Sequence, residues 1–409
     1  MKDTENTRPN APTSALPNST LSNVPRLRFP GFEGEWESRL LGDIAEISKG
    51  VGISKEQRSL EGNPCILYGE LYTTYSTEII DDVVSKTHLP TTGLVQSKPN
   101  DLVIPASGET AIDISTARCV TREGVFLGGD LNIIRLRGQD GRFFSYQLNG
   151  ARKKDIAKVA QGVSIVHLHG NDLAHIKVYY PSQPEQEKIA SLLSLIDQRI
   201  SIQNKTIEDL KKLKAAICEQ CYQSQEETIL PLSELIRQVS TRNKRNLINR
   251  VLSVSNKLGF IEQSEQFEDR AVASDDTTNY KIVSPNDFAY NPARINVGSI
   301  ARLKDATCGI VSPMYICFHT TSYILPEYLE FFFSTKLFQT EVQKRLEGSV
   351  RLCLSFDGLC NISIPLPAID QQRVITNRLV AISRKIEMES RIYELLQKQK
   401  KILLNGLFI

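Results

Sequence analysis

The sequence has no apolar run approaching the roughly 18–20 residues that a membrane span needs. Its opening, "MKDTENTRPNAPTSALPNSTLSN", is polar and lacks the apolar core of a secretion signal, so residues 1–24 read as a disordered tail. There is no P-loop, no G-x-S-x-G, no H-E-x-x-H and no glycine-rich dinucleotide fingerprint followed by an acidic residue, which removes the chemistries those motifs carry. Carboxylates are plentiful, but no spacing among them marks an acid/base pair. Tyr290–Ala293, "YNPA", shares Asn-Pro with the signature of amino-group methyltransferases and lacks its second proline and its aromatic residue. Net charge is also missing: 49 Lys and Arg against 47 Asp and Glu leave +2, which neither demands nor excludes nucleic acid. Eight cysteines are scattered along the chain, and without a secretion signal they read as reduced thiols of a cytosolic protein. Cys218 and Cys221 form a C-x-x-C inside a helical pattern, with no second pair and no nearby His, so they read as helix filler rather than zinc ligands.

What the chain does have is a repeat. "PSQPEQEKIASLLSLIDQRI" starts at Pro181 and "PAIDQQRVITNRLVAISRKI" at Pro367, 186 residues later. At that offset Gly162, Leu168, Leu173, Ile176, Pro181 and Gln186 meet Gly348, Leu354, Leu359, Ile362, Pro367 and Gln372 without a gap. After each proline the apolar residues step by four and three. In the first copy they are Ile189, Leu193, Ile196, Ile200, Ile207 and Leu210; in the second, Ile375, Leu379, Ile382, Ile386, Tyr393 and Leu396. This is the seam of a coiled coil, and Gln203 with Glu389 and Lys214 with Lys400 interrupt it at matching slots. Polar residues in a seam fix register, so the two helices face each other or a common partner. Each helix has about 40 residues and a length of about 60 Å, which suits a spacer.

Upstream of each helix lie short β-rich runs broken by Gly, Pro, Asn and Asp, such as "NPCILYGELYTTY", "DLVIPASG" and "NDFAYNPARINVGSIARL", followed by brief helical patterns. The 409 residues therefore read as an α+β chain with an internal pseudo-two-fold repeat. One domain spans 25–180, a helix 181–224, a second domain 225–366 and a second helix 367–409. "DLVIPASGETAIDISTARCV" takes the place of "DFAYNPARINVGSIARLKDA", with Asp101 matching Asp287, so the scaffold is kept while the surfaces diverge. His167, His169 and His175 meet Cys353, Ser355 and Asn361 across the repeat, and a role common to both halves cannot rest on them.

Two variable α+β domains, two matching helices, the entry segment "PRLRFPGFEGEWESRLLGDI" and the two Pro-to-helix segments resemble the specificity subunit of type I DNA restriction-modification enzymes. The resemblance runs from about residue 25 to the C-terminus and includes "FAYNPARINVGSIA". It implies two target recognition domains, each reading one half of a bipartite, asymmetric double-stranded DNA site, alternating with two long helices that pair as an antiparallel coiled coil and set the gap. It further implies two modification subunits docked on the helices and restriction subunits beyond them. S-adenosylmethionine, ATP and Mg would be bound by those partners, none by this chain, which would be non-catalytic and cytoplasmic, with no membrane.

The residue types that read base edges and phosphates are Arg, Lys, Asn, Gln, Ser and Thr on loops of a rigid domain. In the first domain Ser107, Glu109, Thr110 and Arg118 occupy one such stretch and Ser164 another; in the second, Arg294 and Asn296 lie on a polar turn and Arg351 in the segment matching Ser164. Arg242, Lys244 and Arg245 form the densest basic cluster, "STRNKRNLINR". For the cluster a solvated loop stands beside phosphate contact, and for the others an ordinary turn stands beside base contact. Two further classes compete for the whole chain: a stand-alone DNA methyltransferase or nuclease, which the missing motifs oppose, and a protein-binding scaffold with no DNA role.

Overall fold

The computed structural model describes residues 23–223, 228–256, 258–263, 276–348 and 351–409. The expected tail therefore falls largely on residues outside that set, while Asn23 already belongs to the fold, its carbonyl accepting the Trp36 N–H at 2.7 Å. The chain divides into two compact units, residues 1–202 with 393–409 and residues 203–392.

In the first unit a five-stranded sheet runs in the order Ala45–Lys49, Leu131–Leu136, Asp101–Pro105, Arg118–Val120, Ile79–Ile80, antiparallel except for the last pair. Asp101–Pro105 is buried on both faces, as a central strand covered on each side must be. Its alternate residues serve two cores, Leu102 and Ile104 joining Ile134, Phe143 and Tyr146, and Val103 joining Ile133 and Leu127. A four-stranded sheet holds Ser85–Thr87, Asn63–Ile66, Phe126–Leu127 and Val95–Gln96, its middle pair parallel. The run "NPCILYGELYTTY" is only half strand: after Asn63–Ile66 the chain turns into a short helix, Glu70–Thr73. Gly69 breaks the extended run, and the Glu70 carboxylate folds back to accept the Leu67 N–H at 3.0 Å.

Among the described residues the second unit repeats this plan except for the edge strand Ile79–Ile80, which has no counterpart there. Ile236–Val239, Ile316–Thr320, Phe288–Tyr290 and Ile300–Arg302 form one sheet; Gly259–Glu262, Val251–Ser255, Gly309–Val311 and Lys281–Val283 form the other, again with its middle pair parallel. The repeat extends to single hydrogen bonds. Asp101 accepts the Lys98 N–H at 2.7 Å and Asp287 the Ser284 N–H at 2.8 Å, each after an asparagine with positive φ, Asn100 at 78° and Asn286 at 70°.

The long helices are Gln183–Cys221 and Ile369–Leu407, 39 residues each, or about 58 Å. The first turn of each is tied to its domain through a buried amide. Gln186 donates to the Pro181 carbonyl at 2.8 Å and accepts the N–H of Asp140, the residue that caps helix Gly141–Asn149. Gln372 does the same with the Pro367 carbonyl at 2.9 Å and the N–H of Leu325, which caps Pro326–Phe332.

Within each unit the two helix segments run antiparallel. In the first, Leu193 shares a core with Leu403 and Leu407, while Asp197 meets Lys400. In the second, Gln203 donates to the backbone and side chain of Glu389, and Ile217 shares a core with Leu379 and Ile375. Ile189, Leu193, Ile196, Ile207, Leu379 and Leu396 are buried, and Ile200, Leu210, Ile375, Ile382, Ile386 and Tyr393 half-buried, as a seam requires. The C-x-x-C sits on this helix with all eight cysteines free; Cys218 is buried, and that burial raises its thiol pKa. In the first unit Leu27 donates its N–H to the Gly406 carbonyl at 2.8 Å, and the Leu27 side chain fills the space a Cβ at Gly406 would need.

The second polar slot of the seam has diverged between the copies. Lys400 is enclosed between Glu78 at 2.7 Å and Asp197 at 2.6 Å, and the Tyr146 hydroxyl donates to the other oxygen of Asp197 at 2.7 Å. Its counterpart Lys214 lies 5.3 Å from the centre of the Phe331 ring, and burial lowers its pKa. Burial raises the Asp197 carboxyl above the ordinary aspartate range, Glu78 adding to it and Lys400 opposing it. Burial also acts against the Lys400 charge, but the two facing carboxylates outweigh it and raise its pKa. Lys400 therefore stabilises the fold fully below the ordinary lysine value, and that contribution is lost only as pH rises through its raised one. Lys400→Met leaves buried carboxylate charge unpaired and should cost about 3–5 kcal/mol near neutral pH. The deficit against the native chain, measured by chemical denaturation, should shrink as pH falls to about 6, the value to which the Asp197 carboxyl is pushed up with Lys400 in place, because without Lys400 it takes up its proton at higher pH still. A deficit unchanged with pH would mean that Lys400 acts by packing alone.

Candidate nucleic-acid interface

In both units the two loops singled out by sequence are joined side by side, and the same backbone bond joins them. Leu168 donates its N–H to the Ala106 carbonyl at 2.9 Å, and Leu354, 186 residues on, to the Pro292 carbonyl at 3.0 Å. Each second loop is closed at its base by a pair of backbone bonds. Gln161 and His167 exchange backbone bonds of 2.8 and 2.7 Å, and Glu347 and Cys353 bonds of 2.9 and 2.8 Å. A glycine with positive φ follows the first strand position of each, Gly162 at 121° and Gly348 at 119°. A Cβ there would lie 2.1 Å from the Ile165 carbonyl oxygen in one and 2.3 Å from the Arg351 carbonyl oxygen in the other, so only glycine closes this turn.

On this frame Ser107 pairs with His167 across a short antiparallel ladder and is buried, whereas Glu109, Thr110 and Ser164 are exposed. Thr110 caps helix Ala111–Ile114, accepting from the Asp113 N–H at 3.1 Å. Arg118 departs from the expectation of a surface reader. It is 8% exposed and donates to the Leu71 carbonyl at 2.9 Å and the Tyr75 carbonyl at 2.7 Å, and burial lowers its pKa. It lies on the strand Arg118–Val120 next to the central strand, where a side chain turns inward and must satisfy its donors on backbone oxygens.

In the second unit Arg294, Asn296 and Arg351 are all exposed. The turn that carries Arg294 is built rather than slack: Asn291 accepts the Ala293 N–H at 3.1 Å, and the Arg294 carbonyl accepts the N–H groups of Val297 and Ser299. Arg294 stands at the rim of a cavity of about 250 Å³ that Asn291, Ser312 and Met314 also line. The basic cluster is stiffened by buried Asn243, whose side chain accepts the Leu247 and Ile248 N–H groups at 3.1 and 3.2 Å. Lys244 and Arg245 project from it into solvent; Arg242 is engaged by Asn279 at 2.9 Å, and Arg250 is neutralised by Glu262 and Asp305. The His167 and His169 rings lie parallel at 6.4 Å, and no group of three metal-ligating side chains occurs among the described residues. No helix among the described residues is long and apolar enough to cross a membrane.

Sequence reading passed over the tip of the first hairpin. Val163 and Ile165 flank Ser164 there, 97% and 60% exposed. Their apolar character hid them in a search for polar readers. Buried Asn243 was equally hidden, inside a run noticed only for its charge.

Comparison with known proteins shows what the chain is similar to. Residues 33–212 match the family model described as the type I restriction modification DNA specificity domain. Two curated proteins of Methanocaldococcus jannaschii are each 23% identical. The putative type I restriction enzyme MjaX specificity subunit matches over 91% of this chain and 92% of its own length, and the MjaVIII specificity subunit over 91% of each. Among solved structures the type I restriction-modification S subunit from M. genitalium shares the fold, with a TM-score of 0.63 at 16% identity over 94% of this chain and 99% of its own. A chain from a study of complex assembly and conformational transition in the type I system gives 0.52 at 13% identity, over 94% of this chain and 99% of its own. Over nine tenths of its length the chain is similar to type I restriction enzyme specificity subunits, and residues 33–212 carry the match to their DNA specificity domain.

Gly162→Ala should disturb the hairpin without unfolding its domain, costing more than about 1 kcal/mol because the required φ is closed to a side chain. Hydrogen exchange checks this: the Gln161 and His167 amides should lose protection while that of Ile134 in the central sheet keeps it. Equal loss at all three would assign the glycine a role in global folding.

Proposed function

We propose that the chain supplies the sequence address of a type I restriction-modification complex, each unit reading one half of a split, asymmetric site in double-stranded DNA. The observation that carries this reading is the pattern of what the duplication kept and what it changed. The order of the eight strands common to both units, the Asp101/Asp287 turns, the Gln186/Gln372 amides and the loop-joining bonds are repeated. The exposed loop residues are not: Glu109 and Thr110 stand in one unit, Arg294 and Asn296 in the other. A repeated frame with two different surfaces suits two different half-sites. Phosphate contact falls to Lys244 and Arg245, base reading to the exposed loop residues, and Arg118 and Ser107 to the frame beneath them. The chain is non-catalytic in this reading and binds no cofactor; two modification subunits bring S-adenosylmethionine and methylate adenine N6, and restriction subunits bring ATP and Mg. The complex works in the cytoplasm against unmethylated incoming DNA.

The helices set the gap between half-sites and dock the modification subunits. Outside the buried seam both carry exposed apolar residues, Leu195, Ile202, Leu395 and Ile402 in the first unit and Leu213, Val374, Met388 and Ile392 in the second. On the distal helix Val374 and Met388, and Leu395 and Ile402, recur at multiples of seven, as a second apolar stripe would. Amphipathic helices of the modification subunits are the occupants this stripe suits.

Co-expression with a modification subunit in an unmethylated host, followed by mapping of methyl-adenine, should reveal a split motif with two short halves and a fixed gap. No new methylation from a soluble complex would overturn the proposal. Arg294→Ala should relax or weaken recognition in the second half-site only, by about 1–3 kcal/mol; a loss equal for all sequences would make it a phosphate anchor. Met388→Lys with Leu395→Lys should leave the stability of the chain within about 0.5 kcal/mol and abolish co-purification of the modification subunit. Retention of the complex would place the docking surface elsewhere.

A further inference from the structure

The two hairpins differ in sequence at matching positions. At the 186-residue offset Val163 corresponds to Ser349 and Ile165 to Arg351. The first tip carries two apolar side chains in solvent, Val163 97% and Ile165 60% exposed, on a turn that Gly162 and the paired bonds between Gln161 and His167 hold rigid. Rigid apolar tips are costly to leave in water, and here the tip is presented beside exposed Glu109 and Thr110 by the short ladder that pairs Val166 with Gly108. A two-stranded ribbon is narrow enough for the major groove of B-DNA. The apolar feature that groove displays is the C5-methyl group of thymine, whereas an arginine there finds the O6 and N7 acceptors of guanine.

We infer that the first hairpin is a thymine-methyl reader, Val163 and Ile165 packing on C5-methyl groups in the first half-site, while Arg351 gives the second hairpin a guanine. The inference rests on the DNA-reading role proposed above and adds the base class. It makes the residue at one duplicated position, Ile165 or Arg351, the determinant of which kind of base pair each hairpin accepts. Because the Val163 and Ile165 side chains lie in solvent, polar replacements there leave the fold's interior untouched.

The test uses the full chain in complex with its modification subunit and DNA duplexes in which deoxyuridine replaces thymidine, one position at a time, removing the methyl group and nothing else. Affinity should fall about fourfold for each contacted methyl in the first half-site, the factor that burying one methyl group is worth, with no change in the second. In Val163→Ser with Ile165→Ser the thymine and uracil duplexes should bind alike. Equal binding of both duplexes by the native complex, or a first half-site with no thymine on either strand, would overturn the inference while leaving a defined split motif intact. Absence of any defined motif would instead overturn the DNA-reading role itself.

Discussion

At the root of each long helix one buried amide ties the helix to its domain. Gln186 and Gln372 use the donor side on the carbonyl of the proline that precedes the helix and the acceptor side on the N–H that opens the neighbouring short helix. A buried amide left half-satisfied costs about 1–3 kcal/mol, so the helix cannot swing away from its domain without breaking both bonds. Proline adds to this by excluding helical backbone before it, which fixes where the helix begins. The long helix and the domain that carries the exposed loops are thus held in one frame by a side chain of the helix's own first turn.

The seam between the helices shows how duplication and specificity coexist. Aliphatic residues at matching positions supply burial, which is non-directional and would tolerate sliding. The polar slots remove that tolerance: Gln203 finds Glu389, and Lys400 finds Asp197 and Glu78. Lys214 occupies the same slot as Lys400 and meets an aromatic ring in place of a carboxylate pair. Two identical lysines in equivalent places have acquired different partners, so the pairing is directional even though the sequence pattern that produces it is symmetric.

Much of this was legible in advance, and the reason is periodicity. A seam that steps by four and three, and a repeat that holds its offset through Gly162, Pro181 and Gln186, report backbone geometry directly. The positive φ of Gly162 and Gly348 was implicit in their identity, because only glycine meets that demand cheaply. Direction of side chains was not legible. Arg118 sits in a polar stretch that reads as a loop, yet pairing with Asp101–Pro105 makes it a strand and turns its guanidinium inward. Glu70 lies in an apparently β-rich run, and a single glycine before it ends the strand. Val163 and Ile165 lie in a loop read only for Ser164, and their exposure at the hairpin tip is a matter of side-chain direction that the sequence does not carry.

The first unit is discontinuous, needing residues 393–409 to complete its core, and Leu27 closes against Gly406. The second unit, 203–392, is one unbroken stretch. During synthesis, therefore, the domain made first is the one finished last. Its helix segment emerges with an apolar seam and a buried-type aspartate, Asp197, exposed until Lys400 arrives about 200 residues later, some 10–40 s at ordinary translation rates. The order of birth and the order of completion are reversed, and the interval is a window in which nascent chains can pair with one another through the seam.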